Sequence, residues 1–280
     1  MDEKVLTPSE LDARLCDHRD AIFESHEEVK ECLFIATQGS YNYDLQIGTS
    51  DVDSRMVIVP TFDDLCRRRA TSREYFYKST NEKTDVKDIR VFFEQLKKQN
   101  PSFLQTLFAA KLLPNPIYID IVSQLCFCRE QIAKYDPKRM LIGTSAIMNS
   151  KKMKLMGQVE EGAKDRDINK TLYSIFHLAA LITTYMADKS YQDCLRCGSE
   201  DMRDLILKIR LGKTCLSQDL LVDYACKICD KANKEIDVFL EDVEKNAELQ
   251  ESLDSNRETV DNILDELAKT AILRSIERTR

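Results

Sequence analysis

Apolar and polar positions follow two different periods along this chain, and the change of period divides it. Thr7-Pro8-Ser9-Glu10 joins a capping hydroxyl to an early proline, and helical spacing then runs to about Val29. Cys32-Leu33-Phe34-Ile35-Ala36-Thr37 is a short apolar run of strand length, ended by Gly39. A polar, glycine-containing loop leads to a second strand, Arg55 to Val59, closed by Pro60. Residues 61–69 have the spacing of a short helix. Glu74 to Lys78 and Thr84 to Val86 are predicted as further strands. From Asp88 onward nearly every segment has helical period.

Strands are therefore expected only between residues 31 and 87, with helices before and after: an α/β core with a helical extension. Leu113-Pro114-Asn115-Pro116 is the best break between the two. The predicted divisions are a core over 1–116, a helical domain over 117–247, and a C-terminal helix and tail over 248–280. Helices are predicted at 118–131, 138–162, 168–188, 200–211, 217–246 and 257–276. The last places Val260, Ile263, Leu264, Leu267, Ala271 and Ile272 on one face. That face suits either docking on its own domain or an oligomer contact.

Composition narrows the classes. The 280 residues can bury a sizeable core, and 43% hydrophobic with 32% charged residues excludes a disordered tail. Seven glycines, six prolines and no tryptophan suit a mostly helical protein. The net charge of −7 lies largely at the end, where residues 241–280 hold eleven acids and six bases. A global nucleic-acid footprint is absent. Residues 131–170 are the local exception, with nine bases and five acids. Ten cysteines, with no apolar leader after Met1-Asp2-Glu3-Lys4, point to a reducing, cytoplasmic setting. The greasiest stretch, Leu172 to Ala187, is too short and too polar for a membrane span.

The chemistry concentrates in Gly39-Ser40-Tyr41-Asn42-Tyr43-Asp44-Leu45-Gln46-Ile47-Gly48-Thr49-Ser50-Asp51-Val52-Asp53-Ser54-Arg55. A strand delivers the chain into Gly-Ser, and ten residues further on Asp-x-Asp opens the next strand. Strand alternation sets Asp51 and Asp53 on one face, where they repel unless a cation lies between them. Mg²⁺ takes such carboxylates together with substrate phosphates. Gly39 permits close approach of the backbone to a ligand, and Ser40 adds a hydroxyl, so the pair suits a phosphate. A third carboxylate on a neighbouring strand is required for two-metal transfer. Asp85, within a predicted strand, is favoured over Asp88, whose position suits a helix N-cap.

Strand, Gly-Ser, ten-residue spacer, Asp-x-Asp and strand, in that order, resemble the nucleotidyltransferases of the DNA polymerase β superfamily. Ser50-Asp51-Val52-Asp53-Ser54-Arg55 before Val57-Ile58-Val59-Pro60 is similar to its uncharacterised bacterial and phage branch. So are Asp88-Ile89-Arg90-Val91-Phe92-Phe93 and the turn Asn100-Pro101-Ser102-Phe103-Leu104. The resemblance covers residues 30–110 closely and 165–235 loosely. It departs at Gln105, where that branch has Glu, and at His177, where it has Arg. It implies an α+β fold, a small mixed-sheet core followed by an all-helical domain. It also implies Mg²⁺-dependent transfer of a nucleoside monophosphate from an NTP, ATP foremost, to an acceptor hydroxyl, with release of pyrophosphate. Asp51, Asp53 and Asp85 would hold two Mg²⁺, and Gly39, Ser40, Arg55 and Lys170 would bind the nucleotide. The acceptor stays open among a protein, a small molecule and an RNA end. The alternative is a catalytically silent member that binds a nucleotide or a partner, and a third is an interaction protein using the C-terminal helix.

Two further constellations carry less. Cys194-Leu195-Arg196-Cys197 and Cys226-Lys227-Ile228-Cys229 have the spacing of zinc ligands, but Cys226 and Cys229 also continue a helical apolar pattern. His177 lies in an apolar helix and reads as a core histidine rather than a base.

Overall fold

A computed structural model describes residues 5–26, 29–77 and 80–278. Met1-Asp2-Glu3-Lys4, on which the leader argument rests, and Lys78, the expected end of a strand, lie outside the described residues. The fold is α+β, with a five-stranded mixed sheet and a helical region after it. Contacts divide the chain into two compact units. The first takes the chain up to Asn42, Gln46–Tyr135 and everything from Ser255. The second takes Asp136–Asp254 and the short segment Tyr43–Leu45. The expected division at residue 116 therefore falls inside the first unit.

In the first unit α1 (Pro8–Ser25) opens on a full capping box: Thr7 accepts from the Glu10 N–H while the Glu10 carboxylate reaches back to Thr7. It is followed by β1 (Glu31–Thr37), a 3-10 turn (Gly39–Tyr41), β2 (Ser54–Val59), α2 (Phe62–Cys66), β3 (Ser72–Tyr77) and β4 (Glu82–Asp88). Then come α3 (Ile89–Lys97), α4 (Pro101–Leu107), β5 (Leu112–Pro114), α5 (Ile119–Phe127) and α6 (Arg129–Ala133). The strand order is β3-β4-β2-β1-β5, with β2 and β4 parallel and the other pairs antiparallel.

β5 corrects the expectation that strands end at residue 87. The Leu-Pro segment proposed as a break pairs with β1, Ala36 opposite Leu112 and Phe34 opposite Pro114. Three residues ending in proline carry no period of their own. The free edge of β1 makes them a strand, and a sheet edge is where proline is tolerated. The helix expected over 118–131 is broken at Cys128 into α5 and α6.

One face of the sheet is closed by α1. Leu15 and Ile22 meet Ile35, Met56, Ile58 and Val86, all nearly fully buried. Each such aliphatic side chain contributes about 1.5–3 kcal/mol of burial. On the other face the Phe92 ring of α3 lies edge-on to Phe34, 5.7 Å between centroids, and beside Phe103 of α4. α3 packs on both β2 and β4.

The second unit contains α7 (Pro137–Glu160), α8 (Asp165–Met186), α9 (Tyr191–Leu195), α10 (Glu200–Arg210) and α11 (Gln218–Lys245). α8 packs against α7, α10 and α11. The last helix, α12 (Ala247–Arg278), is longer than expected at both ends. Its apolar face is spent inside the first unit: Val260, Leu264, Leu267 and Ala271 are buried there. Lys97 bridges to Asp261 and Asp265, and Arg274 makes a two-pronged pair with Asp120 at 2.8 Å. That face docks on its own unit, which removes it as an oligomer contact. No helix among the described residues is long and apolar enough to cross a membrane.

Candidate functional site

A cleft of about 190 Å³ lies over β2, β3 and β4 beside α4. Strand pleating explains its lining. In β4, Lys83, Asp85 and Lys87 alternate with Glu82, Thr84 and Val86. The parallel register sets Asp85 opposite Arg55, and the antiparallel one sets Glu74 opposite Asp85. Gly39, Asp53, Arg55, Lys83, Asp85 and Gln105 all line the cleft. Residues from four separate stretches of sequence thus meet around one small volume.

Gly39 stands where the chain leaves β1, with φ at +70°. A Cβ there would meet nothing within 4 Å, so conformation rather than space requires glycine. Its N–H donates to Gln105 Oε1 at 3.1 Å. Gln105, singled out in the sequence only as a departure, is therefore the current partner of the proposed phosphate donor. Ser40 is half-buried in the turn that follows and is absent from the cleft lining.

The acid pair is placed by a loop rather than by a strand. β2 begins at Ser54, so pleat alternation does not set Asp51 and Asp53 on one face. Asp51 is exposed and stands outside the cleft lining, whereas Asp53 is half-buried within it. Asp53 Oδ1 accepts from the Lys83 N–H at 3.2 Å, and its carbonyl accepts from Gln38 at 2.8 Å.

Arg55 and Asp85 form the charged floor. Arg55 is 4% exposed and its guanidinium is engaged all round. Nε donates to Asp85 at 3.0 Å, and Nη2 lies 2.9 Å from the same oxygen. Nη1 donates to the Ser102 carbonyl and to Thr106 Oγ1, and Nη2 also reaches Ser102 Oγ. The guanidinium carbon lies 3.8 Å above the Phe103 ring. The structure thus places Arg55 as an internal partner of Asp85, with its donors directed to protein groups. Asp85 also meets Lys87 Nζ at 2.7 Å. Asp88 caps α3, accepting from the Arg90 N–H at 2.8 Å, and is 1% exposed. Of the two candidates for a third carboxylate, only Asp85 lines the cleft.

The opposite face of the same strands holds a network that the sequence reading missed. Glu82, 7% exposed at its side chain, accepts from the Val52 N–H at 3.2 Å. Its other oxygen lies 3.2 Å from His18 Nε2 and 3.4 Å from Arg14 of α1. Burial pushes the Glu82 pKa up, but His18, the Val52 N–H and Arg14 outweigh it and hold the group below the usual carboxylate range. His18 Nδ1 meets Ser54 Oγ at 3.0 Å, and its ring stacks on Tyr77 at 4.4 Å. The strict alternation Glu82-Lys83-Thr84-Asp85-Val86-Lys87 was the available signal, since it separates two polar faces in one strand.

Lys170 lies in the second unit, exposed on α8. Lys151 of α7 is half-buried. Its pKa is lowered first by burial and then by the positive charges of Lys154 and Lys170. His177 is a buried, neutral core residue. Its Nε2–H donates to the Leu195 carbonyl at 2.9 Å, it lies against the Tyr43 ring, and burial lowers its pKa to about 4. Cys194, Cys197 and Cys229 are buried, and burial raises the Cys229 thiol to about 11.

Hard oxygen donors at Asp51 and Asp53 suit Mg²⁺ that brings phosphate oxygens with it. Among the described residues no three His, Cys, Asp or Glu side chains gather as a metal cage.

No family model matches the chain, and no curated protein matches it in sequence. Among solved structures, a nucleotidyltransferase-like protein from Exiguobacterium sibiricum 255-15 is similar over 82% of this chain and 80% of that one, at 10% identity and a TM-score of 0.38.

Proposed function

We propose that the protein is a Mg²⁺-dependent nucleotidyltransferase that moves a nucleoside monophosphate from an NTP, ATP foremost, to an acceptor hydroxyl. The observation that carries this reading is the meeting of Gly39, Asp53 and Asp85 around one cleft, with Asp51 beside Asp53 in the loop that enters β2. The resemblance of Gly-Ser and Asp-x-Asp to the superfamily motif supports the same chemistry.

In this reading Asp51 and Asp53 hold the nucleotide's Mg²⁺, and Asp85 is the third carboxylate. Bound Mg²⁺ supplies neutralisation of phosphate charge and stabilises the attacking and leaving oxygens. Gly39 turns its N–H from Gln105 to a phosphate oxygen. Arg55 fixes Asp85 from below, so the carboxylate keeps its place when Lys87 moves to a phosphate. Lys170 gives the second unit, with Lys151 and Lys154, a positive cluster suited to phosphate.

The test compares wild type with Asp51→Ala/Asp53→Ala. Labelled α-phosphate transfer from NTP should vanish in the variant. Mg²⁺–ATP at about 100 times its Kd should stabilise the wild type by about 2.7 kcal/mol and the variant hardly at all. Equal stabilisation of both would remove the metal assignment. The silent alternative is favoured by one observation, the engagement of Asp85 by both Arg55 and Lys87. It predicts ligand stabilisation in the wild type without any labelled product.

A further inference from the structure

The acid pair sits in a loop, yet the loop is not left to find its own conformation. Val52 lies between the two carboxylates and is 1% exposed. Its N–H is held by Glu82 Oε1 at 3.2 Å. The next residue along β4, Lys83, gives its own N–H to Asp53 Oδ1 at 3.2 Å. Two consecutive residues of β4 thus grip the backbone between the acids and one acid itself. The grip is anchored from behind. Glu82 Oε2 is fixed by His18 and Arg14 of α1, and His18 is fixed in turn by Ser54 Oγ and by its stack on Tyr77. Ser54 Oγ also meets Thr84 Oγ1 at 2.8 Å, and Tyr77 gives its hydroxyl hydrogen to the His18 carbonyl at 3.0 Å.

This is more than a buried hydrogen-bonded pair needs. His18 and Glu82 would satisfy each other anywhere in the core. Here the carboxylate spends one oxygen on the peptide N–H that joins Asp51 to the segment carrying Asp53. We propose that Glu82, anchored by His18, is a positioning residue that pre-sets the spacing of Asp51 and Asp53 for the nucleotide's metal. The inference rests on the transferase reading and adds a residue to it from the face of the sheet remote from the cleft. Its physical content is pre-organisation: a metal bound by a loop already ordered does not pay the loop's conformational entropy on binding. Residues that orient metal ligands in this way typically cost 10–100-fold in metal affinity when removed.

The experiment uses the full chain, with Mn²⁺ in place of Mg²⁺, and reads Mn²⁺–ATP affinity by electron paramagnetic resonance well below the melting temperature. Glu82→Ala should weaken binding by about 10–100-fold. Glu82→Gln keeps an acceptor for the Val52 N–H and should stay within about threefold. In wild type the Val52 amide, which lies outside any strand, should exchange with solvent as slowly as strand amides, and it should exchange fast in Glu82→Ala. If Glu82→Ala does not fold, His18→Gln carries the test, with Mn²⁺–ATP binding weakened severalfold. Unchanged affinity in the folded Ala variant, or in His18→Gln where that replaces it, overturns the proposal. If that affinity still depends on Asp51 and Asp53, the transferase reading survives the loss. Wild type that binds no Mn²⁺–ATP overturns both, whatever the exchange of the Val52 amide.

Discussion

The two units bury their polar groups in opposite ways. In the first, buried charges meet other charges: Arg55 with Asp85, Glu82 with Arg14, Asp88 with Arg90. In the second, the buried histidine is neutral. His177 sits among apolar residues and meets only a carbonyl and a ring. The second unit also carries a cluster of like charges, where the positive charges of Lys154 and Lys170 act on half-buried Lys151. A charge inside protein is tolerated where strand geometry supplies a partner at a fixed register position. α8 packs through Ile175, Phe176, Ala179 and Ile182 and offers no such partner, so its histidine stays uncharged.

The largest break in that comparison is Arg55→Ala. It strips Asp85 of its principal partner and takes a donor from the half-buried Ser102 carbonyl, while Thr106 Oγ1 keeps its bond from Gln38. Removing one member of a buried pair costs about 3–5 kcal/mol, so denaturant unfolding should show a loss of that size. Arg55→Lys keeps the charge but not the fork, and should recover only part of it. A loss under about 1 kcal/mol for the Ala variant would mean that the floor network adds little to stability.

His177 sharpens the other side. Its folded pKa of about 4 lies below the ordinary 6.5, so the unfolded chain takes up the proton first as pH falls. The stability that depends on neutral His177 is present above pH 6.5 and is lost as pH falls from 6.5 towards 4. At pH 5.5, one unit below the unfolded value, the loss is about 1.4 kcal/mol. His177→Gln keeps a donor for the Leu195 carbonyl and cannot titrate. Between pH 7 and 5.5 its melting temperature should fall less than that of the wild type, and parallel curves would refute the buried neutral state. Glu82 also loses its contribution at low pH, but equally in both proteins, so the difference isolates His177.

The smallest effect is at the lysine cluster. Lys170→Ala removes one of the two positive charges that act on Lys151 and should stabilise the chain by a few tenths of a kcal/mol at low salt. The gain should disappear near 1 M salt, where screening acts within about 3 Å. Destabilisation instead would mean that Lys170 has a partner that stabilises the fold.

The helices and most strands were legible in the chain because their signals are local. Thr7 and Glu10 announce α1, and Asp88 announces α3, through caps that need only neighbouring residues. The apolar stripe of α12 was visible in Val260, Leu264, Leu267 and Ala271. That it folds back on the first unit was decided by Lys97, Asp120 and other residues far away in sequence. The Gly-Ser and Asp-x-Asp elements could be read as a pattern, and so could the positions of Asp85 in a strand and Asp88 at a helix cap.

What the sequence determined, then, was most of the elements and the pattern of the acid pair and the glycine, all of which depend on residues within a few positions of one another. Tertiary structure alone decided that Leu112–Pro114 is a strand, that Arg55 faces inward to Asp85, and that Glu82 reaches across to the Val52 N–H. Each of these joins segments 30 or more residues apart, and a one-residue slip in strand register would turn every side chain to the other face. Register is fixed by the packing of α1 on one face and of α3 and α4 on the other, and no local pattern in the chain records it.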